Sequence, residues 1–200
     1  MMAVQAHVRV VGAEEQELER LVQAGDKRGA VALCARLHGA GLGRLAMAMT
    51  GSQADADEVV QETLLAAHDA LASFRGEGTL RSWLFGIARR LCARRIETRV
   101  RQERRLHLVK ATTDDGSGAA TPEAELHARR QAARVRTLLE RLKPSDREAL
   151  LLRYQSDLSY GEIAVACGIE EAAARKRASR GLDRLRELMA GNAREGGSDE

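Results

Sequence analysis

Two hundred residues, 44% of them hydrophobic, are enough to bury one core or two small ones, so the chain is expected to fold. A net charge of +3 conceals an uneven distribution, with cations gathered around residues 81 to 110 and 175 to 186 and acids around 13 to 19, 55 to 62 and 195 to 200. One Trp, two Tyr and two Phe in a background of Ala, Leu, Arg and Glu argue against a sheet protein and for an all-α fold, and no apolar run or leader pattern points to a membrane or to export.

Residues 1 to 12 are expected to fray before a helix over about Glu14–Ala24 that turns Leu18, Leu21 and Val22 inward. A second helix, about Lys27–Met49, carries the stripe Ala30, Cys34, Leu37, Leu45 and Met49. Gly39, Gly41 and Gly43 each cost about 1 kcal/mol relative to alanine in a helix, which predicts a kink or a split there. Cys34 and His38 stand one turn apart without two further ligands, and Cys92 and Cys167 lie far off with no CxxC. No disulfide framework, metal site or cofactor is therefore expected, and a reducing cytoplasm fits the thiols.

Ser52 and Asp55 read as a capping pair that opens a third, acidic helix. Val60, Leu64, Ala67 and Leu71 recur at steps of four, three and four and define its expected buried face. Glu58, Gln61, Glu62, Leu65 and Asp69 fall on the other side, where the residues alone allow either a solvated surface or a docking face for a partner. Phe74 to Arg81 breaks the helical period with two glycines and two arginines, a composition suited to an anion. Trp83, Leu84, Ile87, Ala88 and Leu91 restart a helical stripe, and Arg81, Arg89, Arg90, Arg94, Arg95, Arg99 and Arg101 load it with charge that favours a polyphosphate.

From Glu103 to Ala120 the apolar period disappears, which reads as a flexible linker over residues 103 to 120. About 20 residues reach roughly 70 Å when extended and average about 25 Å as a coil, so two domains could sit on one duplex whose turn spans about 34 Å. The second domain opens at Thr121, Pro122 and Glu123, an N-cap followed by proline. Its first helix carries Leu126, Val135, Leu138, Leu139 and Leu142 and stops at Pro144. Ser145 with Glu148, and Ser159 with Glu162, read as capping boxes for the next two helices. A short helix around Ile163, a turn at Gly168 and a longer helix from Glu170 make helix-turn-helix grammar. In that last helix Ala174, Ala178, Gly181 and Leu185 share the inner face, while Ala172, Arg175, Lys176, Ser179 and Arg180 face away. Three cations on the outer face of the second helix of such a motif point to groove binding, against the plain alternative of a solvated basic side. Residues 191 to 200 are expected to be disordered.

The segments DADEVVQET (residues 55 to 63) and FRGEGTLRSWLFGIAR (74 to 89) resemble the core-binding and promoter-melting region of bacterial sigma factors of the extracytoplasmic-function (ECF) class. The run from Leu142 to Leu188 is similar to the upstream-promoter-binding domain of the same class, and the two blocks stand in the family's order. The resemblance implies two helical domains, residues 14 to 102 and 121 to 190, joined by the linker. It implies a chain that binds core RNA polymerase, directs it to promoters and opens the duplex without catalysing a covalent step. Asp57, Glu58, Gln61, Glu62 and Leu65 would then meet the clamp helices of the polymerase's largest subunit. The loop Arg75 to Ser82, with Gly76, Thr79 and Arg81, would pocket a base flipped from the element nearer the start site, with Trp83, Arg90 and Arg94 beside it. Arg175, Lys176, Ser179 and Arg180 would contact the upstream element, and an anti-sigma protein is a further possible partner. The chain departs from the family in having Arg90 where asparagine is common, Ala174 and Ala178 where larger aliphatics are usual, and no aromatics around Leu33, Leu37, His38 and Leu42. Two rivals stay open: a helix-turn-helix regulator that binds duplex DNA without polymerase, and a sigma-like protein that has lost activity. An enzyme is disfavoured, since no nucleophile set, phosphate-binding glycine loop tied to a strand or metal constellation is present in the sequence.

Overall fold

A computed structural model describes residues 2–74, 76–107 and 133–195, and every regular element among them is a helix. In chain order these are α1 (Met2–Gln23), α2 (Lys27–Thr50), α3 (Gln53–Ala70) with a 3-10 turn at Leu71–Ser73, and α4 (Leu80–His107). Then follow α5 (residues 133–140), α6 (Pro144–Tyr154), α7 (Tyr160–Cys167) and α8 (Glu171–Glu195).

Helices α1 to α4 form one bundle. Asp26 opens α2 by accepting the Gly29 N–H at 2.9 Å, and α2 then runs unbroken through Gly39, Gly41 and Gly43. The expected split is absent because the flanking turns are anchored: Leu33, Cys34, Leu42, Leu45 and Ala46 are all buried, and the bare face at Gly41 receives the Phe85 ring. Tertiary packing therefore overrides the local propensity cost. Ser52 caps α3 as expected, its hydroxyl accepting from the Asp55 N–H. The buried stripe of α3 is Ala56, Val59, Thr63 and Ala67 rather than one centred on Val60 and Leu64, which are only half-buried. The rotation follows from α3 packing against both α2 and α4, so that small residues point into the crevice between them. Thr63 is tolerated there because its hydroxyl donates to the Val59 carbonyl at 2.6 Å.

Two boundaries differ from expectation at the ends of this bundle. Helix α1 begins at Met2 rather than near Glu14, and α4 carries on to His107, five residues into the expected linker. The rest of that linker, together with the Thr121–Pro122–Glu123 cap and Leu126, lies outside the described residues.

The second unit is built on α6 and α8. Pro144 occupies the first turn of α6, with Lys143 as N-cap and no side-chain cap. The expected Ser145–Glu148 box does not form, because the helix starts before Ser145 and the Glu148 carboxylate is drawn to Arg89 of α4 instead. The Ser159–Glu162 box does form, each partner satisfying the other's backbone. Gly168 ends α7 with φ of 65°, a left-handed conformation that turns the chain sharply into α8. Helix α8 extends to Glu195, so residues 191 to 195 of the expected tail are helical.

Gly181 explains how closely α6 and α8 approach. A β-carbon there would lie 2.8 Å from the Asp146 carbonyl oxygen and 3.4 Å from the Leu150 side chain. Ala174 and Ala178, fully buried beside it, complete a flat face against which the leucines of α6 lie. The small residues in the inner face of α8 are thus a packing requirement of this bundle.

Two outcomes test this packing. Gly181→Ala should destabilise the protein by about 1–2 kcal/mol in chemical denaturation, overpacking outweighing the gain in helix propensity. Gly39→Ala, where a β-carbon meets nothing, should instead stabilise it by about 0.5–1 kcal/mol. Acid should act through His38, whose pKa is pushed down to about 4 by burial and then by the nearby Arg81 charge, partly offset by Glu162. Below the ordinary value of 6.5 the unfolded chain binds this proton more readily, so the contribution present above pH 6.5 is lost as pH falls towards about 4. A His38→Gln variant should show a shallower loss of stability over that window.

Candidate functional site

The acidic face of α3 is exposed along its length. Asp57, Glu58, Gln61, Glu62 and Leu65 all face solvent, and Leu65 keeps 59% of its surface open amid the carboxylates. An aliphatic side chain in that setting suits a partner surface that is basic with an apolar contact at its centre. The carboxylates are held in place by α4: Arg95 donates to Glu58, to Glu62 at 2.6 Å and to Asp55 at 3.4 Å, and Arg99 lies 3.9 Å from Asp55. Burial works against the Arg95 charge, but its hydrogen bonds to Glu62 and Glu58, and the charges of both, outweigh it and raise the pKa of the guanidinium. This pairing was not visible in the sequence, where Arg95 reads only as one cation among many; its sign opposite the acidic face was the available clue.

The glycine-broken loop joins the 3-10 turn to α4. Thr79 caps the helix, its hydroxyl oxygen accepting from the Ser82 N–H at 3.0 Å while the Ser82 hydroxyl donates to the Thr79 carbonyl at 2.7 Å. Gly76 and Thr79 are exposed, whereas Ser82 is fully buried, so its side chain serves the cap rather than an outside ligand. Arg75 lies outside the described residues. Trp83 is half-buried and tilts against Phe74 with ring centroids 5.5 Å apart, in keeping with its place on the inner stripe of α4. Arg90 and Arg94 are exposed and make no ion pair with any described residue. Between α1, α2 and this loop lies a cavity of about 400 Å³ lined by Leu18, Val22, His38, Phe74, Leu80 and Arg81, with Glu15 and Glu19 at its rim.

Arg81 departs from expectation. It lies 3.5 Å from Glu162 of α7, donates to the Ser156 carbonyl and stands over the Phe85 ring, so it is engaged within the protein.

On α8 the outward side chains Arg175, Lys176, Ser179 and Arg180 line one shallow groove with Glu171 and Ala172. Arg180 is bound to Asp146 of α6 through two hydrogen bonds of 2.8 and 3.2 Å. Asp146 keeps its carboxylate below the usual pKa because of that bond, which wins over the effect of burial. Arg175 pairs with Glu171 at 3.0 Å and covers the Tyr160 ring at 5.1 Å. Lys176 and Ser179 have no such partner among the described residues. The helix-turn-helix therefore presents two free polar groups flanked by two arginines that its own fold orients.

Among the described residues no group of three or more His, Cys, Asp or Glu side chains could hold a metal. Burial pushes the Cys34 and Cys92 thiols up to about 11 and about 12, which keeps both protonated inside the bundle. No described helix is long and apolar enough to cross a membrane.

Comparison with known proteins assigns the two units. Sigma-70 region 2 matches residues 35–104 and Sigma-70, region 4 matches residues 132–185. The chain is 31% identical over 178 residues to the RNA polymerase sigma factor NccH of Alcaligenes xylosoxydans xylosoxydans, covering 88% of this chain and 94% of that one. It is 32% identical to the ECF RNA polymerase sigma factor EcfG of Rhodopseudomonas palustris, over 72% of this chain and 76% of the relative. Its fold matches that of the sigma factor RpoE from Bartonella quintana, solved with the anti-sigma factor NepR, with a TM-score of 0.56, 25% identity and coverage of 88% and 95% of the two chains. With both regions present in order, the chain belongs to the extracytoplasmic-function sigma factors, transcription initiation factors that bind core RNA polymerase and promoter DNA.

Proposed function

We propose that this sigma factor divides its work among the three surfaces, with residues 14 to 102 as the polymerase-binding and promoter-melting domain and residues 121 to 190 as the upstream-reading domain. Asp57, Glu58, Gln61, Glu62 and Leu65 dock on the clamp helices of the polymerase. The observation that carries this is the exposed Leu65 set among carboxylates that α4 already orients, a face prepared for a partner at little cost in side-chain entropy.

The segment from Gly76 to Trp83, with Thr79 and Arg81, receives a base extruded from the melted strand, and Arg90 and Arg94 bind its phosphates. Unstacking costs a few kcal/mol, which contacts to loop and phosphate offset. The cavity beside the loop and the unpaired state of Arg90 and Arg94 support this assignment. Arg175, Lys176, Ser179 and Arg180 enter the groove of the upstream element, Lys176 as a phosphate or base contact and Arg175 from its seat on Tyr160. The protein performs no covalent chemistry itself, and it acts in the cytoplasm beside the polymerase. By analogy with the RpoE structure, an anti-sigma protein is a further partner.

Two experiments separate these roles. Glu58→Lys with Glu62→Lys should weaken capture of core polymerase at least about tenfold, a loss of about 1.4 kcal/mol, with an unchanged circular dichroism spectrum; undiminished capture would contradict the assigned face. Arg175→Ala with Lys176→Ala should lower the salt slope of upstream-element binding by roughly one unit per phosphate contact removed. An unchanged slope would assign the groove contacts elsewhere.

A further inference from the structure

Tyr160 opens α7, the first helix of the helix-turn-helix, and the backbone around it is fixed by the capping box. Ser159 caps the helix, and its N–H donates to the Glu162 carboxylate at 2.8 Å. The Tyr160 side chain is half-buried and packs against the hydrophobic core, so the ring has a set position before any ligand arrives. Two guanidinium groups stand over this ring, Arg153 of α6 at 5.3 Å from its centroid and Arg175 of α8 at 5.1 Å. Within about 6 Å a cation is attracted to the electron-rich face of an aromatic ring. Arg153 is itself tied down, donating to the Leu158 carbonyl at 3.1 Å. One ring thus links side chains of α6, α7 and α8.

The two outward arginines of α8 are held in different ways. Arg180 is gripped through its donors: Nε and Nη2 both donate to Asp146, whose side chain is only 8% exposed. Such a contact takes up N–H groups that a base edge would otherwise receive. Arg175 rests on Tyr160 by attraction of its charge to the ring, which commits no particular N–H. Its hydrogen-bonding partner is Glu171, through Nη2 at 3.0 Å, with 64% and 56% of the two side chains exposed. A pair so open is weak and screened by salt, and a base edge can replace it at small cost.

We propose that Tyr160 is the positioning residue for base reading by Arg175: its ring, backed by Arg153, holds the guanidinium over the outer face of α8 and leaves the N–H donors open. Base preference at the position Arg175 meets therefore depends on Tyr160 as well as on Arg175. In this division Arg180 is a strut between α8 and α6, and Arg175 is the reader. A long side chain without a seat samples many rotamers, and ordering it on binding opposes recognition; the ring removes much of that cost in advance. The proposal rests on the assignment of the outer face of α8 to the upstream element.

The test uses the full chain assembled with core RNA polymerase and a duplex library randomised over about ten base pairs, roughly one helical turn, upstream of a fixed pre-melted start region. Bound fragments are sequenced, and base preference at each position is taken as a ratio of counts. Arg175→Ala marks the positions this side chain reads by the preferences it flattens. Tyr160→Leu and Tyr160→Met should each flatten the same positions about fivefold to tenfold and leave the others as in the parent. Tyr160→Phe keeps the ring and should retain the parent's preferences within about twofold. Each ratio compares sequences bound by the same folded molecules, so a smaller folded fraction lowers every count alike and does not imitate a loss at one position. Preferences that are unchanged in the Leu and Met variants, or lowered evenly at all positions, would overturn the positioning role and leave Tyr160 as a packing residue. An equal loss in the Phe variant would overturn it too, by assigning the effect to the hydroxyl. If Arg175→Ala itself flattens no position, base reading by Arg175 falls first, and the role of Tyr160 falls with it.

Discussion

Charge pairing by the arginines of α4 is the constraint on which the rest of the molecule depends. This single helix sends Arg95 and Arg99 to the carboxylates of α3 on one side, and Arg81 and Arg89 to Glu162 and Glu148 of the second unit on another. Arg90 and Arg94 remain open between them. A helix so rich in guanidinium groups would repel itself if all of them faced solvent unpaired. The fold instead distributes them: some organise the acids of the face proposed for polymerase, some hold the second unit, and Arg90 and Arg94 stay exposed on the surface proposed for nucleic acid.

Pairing also sets how the functional surfaces behave. Carboxylates tied to a half-buried arginine are ordered before a partner arrives, which favours rapid and specific docking over raw affinity. Arg180 does the same for the recognition helix through Asp146, a buried acid that fixes where α8 lies on α6. The position of the proposed groove contacts is therefore set by the packing of α6 and α8, whose close approach Gly181 permits.

Much of this was legible in the sequence. The periodicity of Leu18, the capping signals at Ser52 and Ser159 and the helix-turn-helix punctuation at Gly168 are local, and local signals survive folding intact. The exposed row Glu58, Gln61, Glu62, Leu65 and Asp69 could be read from spacing alone, and Asp57, equally exposed, came with the family resemblance. What escaped was non-local. Whether Val59 or Val60 lines the core depends on two neighbouring helices, and whether Glu148 caps its own helix or crosses to Arg89 depends on a segment 59 residues away. Ser82 looked like a loop hydroxyl available to a base, and only the Thr79 cap shows why it is buried. Glycines at 39, 41 and 43 predicted a break that neighbouring leucines prevent, whereas Gly86 and Gly181 mark close helix contacts that no periodicity records.

Hydrogen exchange along the chain tests most directly whether the acidic face and the basic helix act as the two halves of one device. Adding core polymerase should protect the amides of α3 around Asp57 to Leu65, and adding a promoter with a pre-melted start region should then protect the loop from Gly76 to Trp83. Protection of the loop by polymerase alone, with α3 exchanging as in the free chain, would contradict the account.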